Sequence, residues 1–502
     1  MLLAILVLTP CLAWSQGRDG DVASTADDAV LTLAAALERV ERENPRLRAF
    51  VWELEAAQAR VLQARLRPNP ELALEVEDFR LGGGSGGAAW EQEFGLDLEN
   101  GGFDAGISRT REPDGPSGLS GAEITLSLAQ VVELGGKRAR RVKAATAEEE
   151  TVAREYEVLR ADVLAAAVVA FIDVLAVEAD LAVSREVLRV LTESEAAIAL
   201  RVEAGKVSPL ELKKIRIERE NQRIDEERTA ARLQAARLAL AAFWGAPQAD
   251  FSAVAGDLAG ITPVAPLDQL QARVMENPDL LRWSAQAQVE LAKVALRRAE
   301  AVPNVTVRLG VRSTALDAGG ERGWRLSTDA AVFTRTRDDD GRTESLVFEV
   351  GLPLPLFNRN QGAILEAEHL ARRADAEAGA VTAEVNNDLA RLHGELEAVR
   401  KQLEALGQGV IPLASAALEG ARLGYQEGKF GILDLIDAER TFASVRQQRT
   451  AAQAEWHRLR VQLERLIGAP MAGEAGDQED EMDESDGTPE AGGQREDLNH
   501  EE

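Results

Sequence analysis

Hydrophobic and polar positions change period several times along the chain, and the order of the changes occurs twice. Residues 31–67 keep a helical period, with Thr32 placed as N-cap and Arg67-Pro68-Asn69-Pro70 as the stop. From 71 to 79, Leu72, Leu74 and Val76 alternate with Glu71, Ala73, Glu75 and Glu77, the two-residue period of a strand with one apolar and one polar face. A second such strand covers 123–129, where Ile124, Leu126 and Leu128 alternate with Glu123, Thr125 and Ser127. Lys137–Ala204 is then helical for 68 residues, a length of ~100 Å at the helical rise. A turn at Gly205 leads into a return helix at 207–243. The later half repeats this order: alternation in 304–312 and 345–352, a 68-residue helix over Asn360–Glu427 containing Pro412, a turn at Gly428 and a return helix at 430–467.

Landmarks make the duplication explicit. Glu43-Asn44-Pro45-Arg46-Leu47 returns as Glu276-Asn277-Pro278-Asp279-Leu280, and Pro68-Asn69 as Pro303-Asn304. Glu203-Ala204-Gly205-Lys206 matches Gln426-Glu427-Gly428-Lys429, and Trp244-Gly245-Ala246-Pro247 matches Ile467-Gly468-Ala469-Pro470, both at an offset of 223. These place a first repeat at 31–247, a linker at 251–266 rich in Gly and Pro, and a second repeat at 267–470.

Composition removes several function classes. With 85 Asp+Glu against 57 Lys+Arg and a formal charge of -28, the chain lacks the basic footprint of a nucleic-acid groove. One Cys forbids an internal disulfide or a cysteine metal cluster. His369, His393, His457 and His500 make no i, i+4 pair and are expected to be solvated helix or tail residues. Gly135-Gly136-Lys137 lacks the other glycine and the hydroxyl of a phosphate-binding loop, and no activated Ser-His-Asp or Cys-His set is visible. No enzyme, cofactor or metal site is expected.

The ends differ from the body. Residues 1–15 resemble a secretory signal, with an apolar run over Leu2–Leu8, Pro10, and Ala13-Trp14-Ser15 before the cut. A positive flank is missing, so the true start is expected upstream; Cys11 is either removed with this segment or carries a lipid. Residues 473–502 hold thirteen acids and one Arg, the composition of a disordered acidic tail.

Four strands cannot close a membrane barrel, whose smallest examples need about eight. Three copies would supply twelve, with a lumen lined by Glu71, Glu75, Glu77, Glu123 and Arg308. The competing reading is two soluble hairpins packed on helices. The connections 81–121 and 313–343 are long, as external barrel loops are. Alternation inside them, over Trp90–Leu98 and Trp324–Thr334, leaves room for further strands.

The order of helix, hairpin, long helix, tip and return helix, taken twice, resembles the outer-membrane efflux channel family typified by TolC. Two junction motifs, Val131-Val132-Glu133-Leu134-Gly135-Gly136-Lys137-Arg138 and Gly351-Leu352-Pro353-Leu354-Pro355-Leu356-Phe357-Asn358-Arg359-Asn360-Gln361-Gly362, are similar to those of its heavy-metal subgroup, the cobalt-zinc-cadmium and copper exporters. The fold implied is mainly α with a β-barrel part: a homotrimeric outer-membrane barrel in lipid, continued by a long periplasmic helical coiled-coil tunnel. The implied partners are a periplasmic adaptor and an inner-membrane pump of the resistance-nodulation-division type. The low aromatic content, which leaves few residues for barrel girdles, and the long first loop depart from the pattern.

The tips carry the candidate sites. Asp434 and Asp437, three apart on one helix face, are candidates for an acidic ring at the periplasmic aperture, a role the resemblance supports; otherwise they favour a helix N-terminus through its dipole. Their counterparts in the first repeat are Glu211 and Lys214. Gly205, Lys206, Ser208, Leu210 and Glu211, with Gly428, Lys429, Gly431 and Leu433, are candidates for adaptor docking, or else form ordinary turns. A channel for organic compounds or type I protein secretion, and a periplasmic coiled-coil scaffold, are the alternatives to metal export.

Overall fold

The computed structural model describes residues 30–77, 89–97, 102–110, 123–315, 324–326, 330–336 and 342–468; the expected secretory segment and acidic tail lie outside them. β1 (Val30–Thr32) leads into α1 (Leu33–Glu43), whose first turn is capped by Thr32 Oγ1 accepting the Ala35 N–H at 3.3 Å. The helical stretch expected over 31–67 is broken once. Pro45 brings no N–H and forces its predecessor out of helical geometry, so Asn44 sits at ψ 123° and α2 (Pro45–Arg65) begins anew. Then come β2 (Glu71–Glu77), β3 (Ala89–Asp97), β4 (Gly102–Thr110) and β5 (Glu123–Val132), followed by α3 (Lys137–Glu203) and α4 (Pro209–Ala241).

Within the linker, β6 (Ala253–Ala255) pairs in parallel with β1, a strand too short to show a period in the sequence. The second repeat follows as α5 (Leu267–Arg273), α6 (Pro278–Glu300), β7 (Val305–Ala315), β8 (Trp324–Leu326), β9 (Ala330–Thr336) and β10 (Arg342–Gly351). Its long helix is also interrupted: α7 (Gln361–Ala405) passes through a π turn at Leu406–Val410 into α8 (Ile411–Gln426), and α9 (Ile432–Ile467) returns. Pro412 supplies no N–H and its ring crowds the carbonyl of residue 408, so the backbone widens just ahead of it.

The four strands of the expected hairpins are contiguous in one antiparallel sheet of order β2-β5-β7-β10-β9-β8. β9 and β8 come from the stretch whose alternation left room for more strands, and β3 with β4 forms a separate hairpin in the first long connection.

The chain divides into two compact units. One takes the segments up to Ala49, Leu159–Asn277 and Val385 onward, and the other takes Phe50–Val158 and Pro278–Glu384. In the first, helices close over Ile172, Ala176, Leu258 and Ala454, and over a larger cluster that includes Leu191, Ile198, Ile215, Leu418, Ile432 and Ile436. His393 and His457, expected in solvent, instead each set Nε2 3.2 Å from a linker carbonyl, Ala265 and Leu258 respectively. In the second unit, Val61 and Ala64 of α2 pack on Ala145 of α3.

Candidate functional site

In the second unit the sheet is inside out by the standards of a soluble protein. Cross-strand register places Leu72, Leu128, Leu309 and Phe348 in one row and Leu74, Leu126, Val311 and Leu346 in the next, and all eight are exposed. The opposite face carries Thr125, Ser127 and Ser345, each no more than 7% exposed. A sheet covering a water-soluble core would bury the first set and solvate the second.

All five candidate lining residues fall on the polar face. Glu71 is in register with Ala129, and Ala129 with Arg308, which holds Glu349 at 3.1 Å. Glu75 is opposite Thr125, and Thr125 opposite Arg312. Glu77 and Glu123 are directly opposite, a repulsive arrangement that Arg312 offsets by placing Nε 2.6 Å from Glu123 Oε1. Arg312 and Glu349 were not among the candidate lining residues, although their positions in the period, at even and odd numbers of β7 and β10, assign them to this face. Gly310 lies between them because an added Cβ would stand 2.9 Å from Ser127 Cβ and 3.0 Å from the Leu126 carbonyl oxygen.

The strand-to-helix junctions explain the two sequence motifs. Gly135 and Gly136 both take φ +70°, and a Cβ on Gly135 would lie 2.8 Å from Val302 Cβ, so this turn accepts only glycine at its first position. Arg141 spans the junction, donating to Ala64 O and Leu66 O at the end of α2, each at 3.1 Å, and to Glu133 at 2.6 Å. The hydrogen bond from Arg141 holds the Glu133 carboxyl below its ordinary value. Gln130 donates to Pro68 O at 3.0 Å, and Lys137 donates to Asn304 Oδ1. In the second motif Asn360 takes the left-handed conformation, φ 60°, and donates to Arg297 O at 2.8 Å.

In the first unit the repeated Glu-Asn-Pro landmark proves to be a clamp. Asn44 Oδ1 accepts the N–H groups of Arg46 and Leu47, at 2.9 and 3.1 Å, while Nδ2 donates to Phe243 O at 2.7 Å. Asn277, fully buried, donates to Leu466 O at 2.8 Å in the same way. Asn44 therefore ties the start of α2 to the segment that ends the first return helix, and Asn277 holds the end of α9, next to Gly245 and Gly468 respectively, both in the left-handed conformation. Asn44→Ala is expected to cost about 1 to 3 kcal/mol through lost hydrogen bonds and an orphaned carbonyl. Asn44→Asp should recover the part due to the cap. Urea unfolding followed by far-UV circular dichroism measures both.

Both tips end in the same motif. Gly205 N–H donates to Val202 O and Lys206 N–H to Arg201 O, each at 2.9 Å. Gly428 N–H donates to Tyr425 O at 3.1 Å and Lys429 N–H to Gly424 O at 2.8 Å. This paired closure needs a left-handed residue, and Gly205 and Gly428 supply it at φ +68° and +75°. Ser208 caps α4, its Oγ accepting from Leu210 N at 3.2 Å with Pro209 in the first helical turn. Gly431 occupies the equivalent place for α9, and Asp434 Oδ2 accepts the Gly431 N–H at 2.8 Å. Asp434 therefore caps the helix, while Asp437 is exposed one turn on.

The tip side chains divide by exposure. Leu210, Leu433, Lys206 and Lys429 face solvent, Lys429 held by Glu427 at 2.5 Å, and Glu211 is half-buried. Phe430 lies against Gly424 so closely that a Cβ there would fall 2.2 Å from its ring. Beneath, Arg201 stacks 5.0 Å from the Tyr425 ring, whose phenol is pushed up by burial. Arg422 holds the buried Glu439 at 2.6 Å, and Arg440 pairs with Glu218. The apolar cluster around Ile198, Ile215, Ile432 and Ile436 brings the two tips side by side in this unit.

The family model described as "Outer membrane efflux protein" matches residues 36–246 and 270–469, one stretch in each repeat. The chain is 28% identical over 471 residues to the cobalt-zinc-cadmium resistance protein CzcC of Cupriavidus metallidurans, covering 93% of this chain and 98% of that one. Its fold is similar to a membrane protein from Pseudomonas aeruginosa, with TM-score 0.64, 19% identity, and 91% and 97% of the two chains covered. It is also similar to the outer membrane protein VceC of Vibrio cholerae, with TM-score 0.61, 17% identity, and 87% and 96% covered. Duplicated helices, a sheet with its apolar face outward and two glycine-closed tips thus meet a match spanning most of the sequence, and the chain belongs to the outer membrane efflux protein family.

Proposed function

We propose that this protein is the outer-membrane channel of a tripartite system that exports heavy-metal cations. The observation that carries the channel part is the sheet whose one face exposes rows of Leu, Val and Phe while its opposite face holds ion pairs. Lipid on one side and water on the other satisfy both faces. Three copies close a barrel from β2, β5, β7 and β10, with Glu71, Glu75, Glu77, Glu123 and Arg308 toward the lumen. In the single chain β9 lies along β10 from Thr343 to Glu349, and in the ring a neighbour's β2 takes that place. The tips at Gly205 and Gly428 dock a periplasmic adaptor, which joins the channel to an inner-membrane resistance-nodulation-division pump, and Asp434 and Asp437 face the aperture. The likeness to a cobalt-zinc-cadmium resistance protein supports the cargo.

A deletion strain tests this reading. Tolerance to cobalt, zinc or cadmium should fall and return when the gene is restored. Unchanged metal tolerance with new sensitivity to organic compounds would move the cargo to that class and leave the channel standing. A purified protein that stays monodisperse without detergent would instead point to a periplasmic scaffold.

A further inference from the structure

The region between strands and helices has a charge opposite to that of the chain. Segments 62–70, 133–143, 296–304 and 352–361 together hold ten Lys and Arg and two acids, whereas the whole chain has 57 against 85. Both acids are already engaged, Glu133 by Arg141 and Glu300 by Arg297. Arg65, Arg67, Arg138, Arg140 and Arg359 are exposed and form no salt bridge among the described residues. The hydrogen bonds from Gln130, Lys137, Arg141 and Asn360 draw the four segments into one band of the second unit.

Beside this band runs an apolar ledge. Leu352, Leu354, Leu356 and Phe357 follow directly after β10, all exposed, with Phe357 at 91%. Leu352 and Leu354 keep the period of Leu346, Phe348 and Val350 beyond the last paired residue of the strand, and Leu356 and Phe357 follow at a bend. Pro353 and Pro355 bring no N–H groups, and Leu356 N–H turns back to Leu354 O at 2.8 Å, a local turn that still leaves all four apolar side chains exposed.

We propose that this band is a docking surface for anionic phospholipid headgroups, with the Leu352–Phe357 ledge seated in the adjoining acyl region. The inference rests on the channel reading, which puts the apolar sheet face in lipid. The band then lies at the membrane surface, where unpaired guanidinium groups meet phosphate in a bidentate fit and aliphatic and aromatic side chains meet the chain region. Basic residues at this level attract anionic lipid within about one Debye length. Among occupants, a negatively charged lipid surface suits both features at once: the cations take the headgroup and the ledge takes the tails.

The test uses the full-length protein purified in mixed micelles containing equal phosphatidylglycerol and phosphatidylcholine. Lipids that co-purify on size-exclusion chromatography are counted by mass spectrometry. Phosphatidylglycerol should be enriched about threefold or more over phosphatidylcholine, and the enrichment should fall toward unity in about 0.5 M salt. The variant Arg65→Gln/Arg138→Gln/Arg359→Gln should lose the enrichment while keeping the parent's heat-modifiable band, and Leu354→Asn/Phe357→Asn should retain less lipid of both kinds. Equal co-purification of the two lipids by the parent, or an enrichment that salt does not weaken, overturns the proposal even if the variants fail to assemble. An assembled triple variant with undiminished enrichment overturns it as well. A parent that is lipid-free and soluble without detergent removes the channel reading itself.

Discussion

Leu309→Arg is expected to abolish assembly of the protein in the outer membrane, while Arg308→Ala, one residue away, leaves assembly intact and changes conductance. Leu309 sits in the exposed row with Leu72, Leu128 and Phe348. A guanidinium there faces hydrocarbon, at a cost of ~2 to 4 kcal/mol if the site is near the midplane, and each copy in a closed trimer would carry that cost. Arg308 points to the opposite face, where its partner Glu349 lies at 3.1 Å and the two side chains are 40% and 32% exposed. Losing such a solvated pair costs about 0 to 1 kcal/mol. The removed cation instead changes the field inside the pore. Heat-modifiable trimer bands from outer-membrane fractions and single-channel conductance separate the two effects. Equal assembly defects from both substitutions would contradict a barrel.

The period of two was enough to assign faces before any register was known, because a strand puts every other residue on the same side whatever it pairs with. That is why Glu71, Glu75, Glu77, Glu123 and Arg308 could be grouped, and why Leu72 and Leu309 could be set apart from them. Which partner each one meets depends on register, which the alternation does not encode. The Arg308–Glu349 and Arg312–Glu123 pairs therefore emerged only from the structure.

Helix interruptions followed a similar division. Pro45 and Pro412 were visible in the sequence, yet each sat inside a strong helical period, and the period hid opposite outcomes. At Pro45 the buried Asn44 offers the cap and a tertiary hydrogen bond, so a break is stabilised. At Pro412 the helix continues on both sides, and a π turn absorbs the missing hydrogen bond. The Asn44 and Asn277 clamps were legible only as a repeat, because a carbonyl some 190 to 200 residues away leaves no local signal. His393 and His457 were misread for the same reason: their partners lie on a linker with no period of its own.

At the tips, a trivalent cation added on the periplasmic side of the purified channel in a planar bilayer is expected to block current, and Asp437→Asn is expected to weaken that block most. Under the proposed trimer each copy brings Asp434 and Asp437 to the aperture, and like charges gathered there favour a bound multivalent ion. The two carboxylates are not equivalent, however. Both are exposed, but Asp434 Oδ2 already accepts the Gly431 N–H at 2.8 Å, which directs that oxygen into the helix cap, whereas Asp437 lies one turn on, near Arg440. Asp437→Asn should raise the blocking concentration by about tenfold or more. Asp434→Asn should raise it less and loosen the first turn of α9, since a neutral amide is a weaker partner for the helix N-terminus. The cation block should also weaken at high salt, as screening reduces the attraction of exposed carboxylates. If the variant carrying both substitutions is blocked as well as the parent, the aspartates form no ring, and Asp434 is left with its cap and Asp437 with a dipole contact at the start of the return helix.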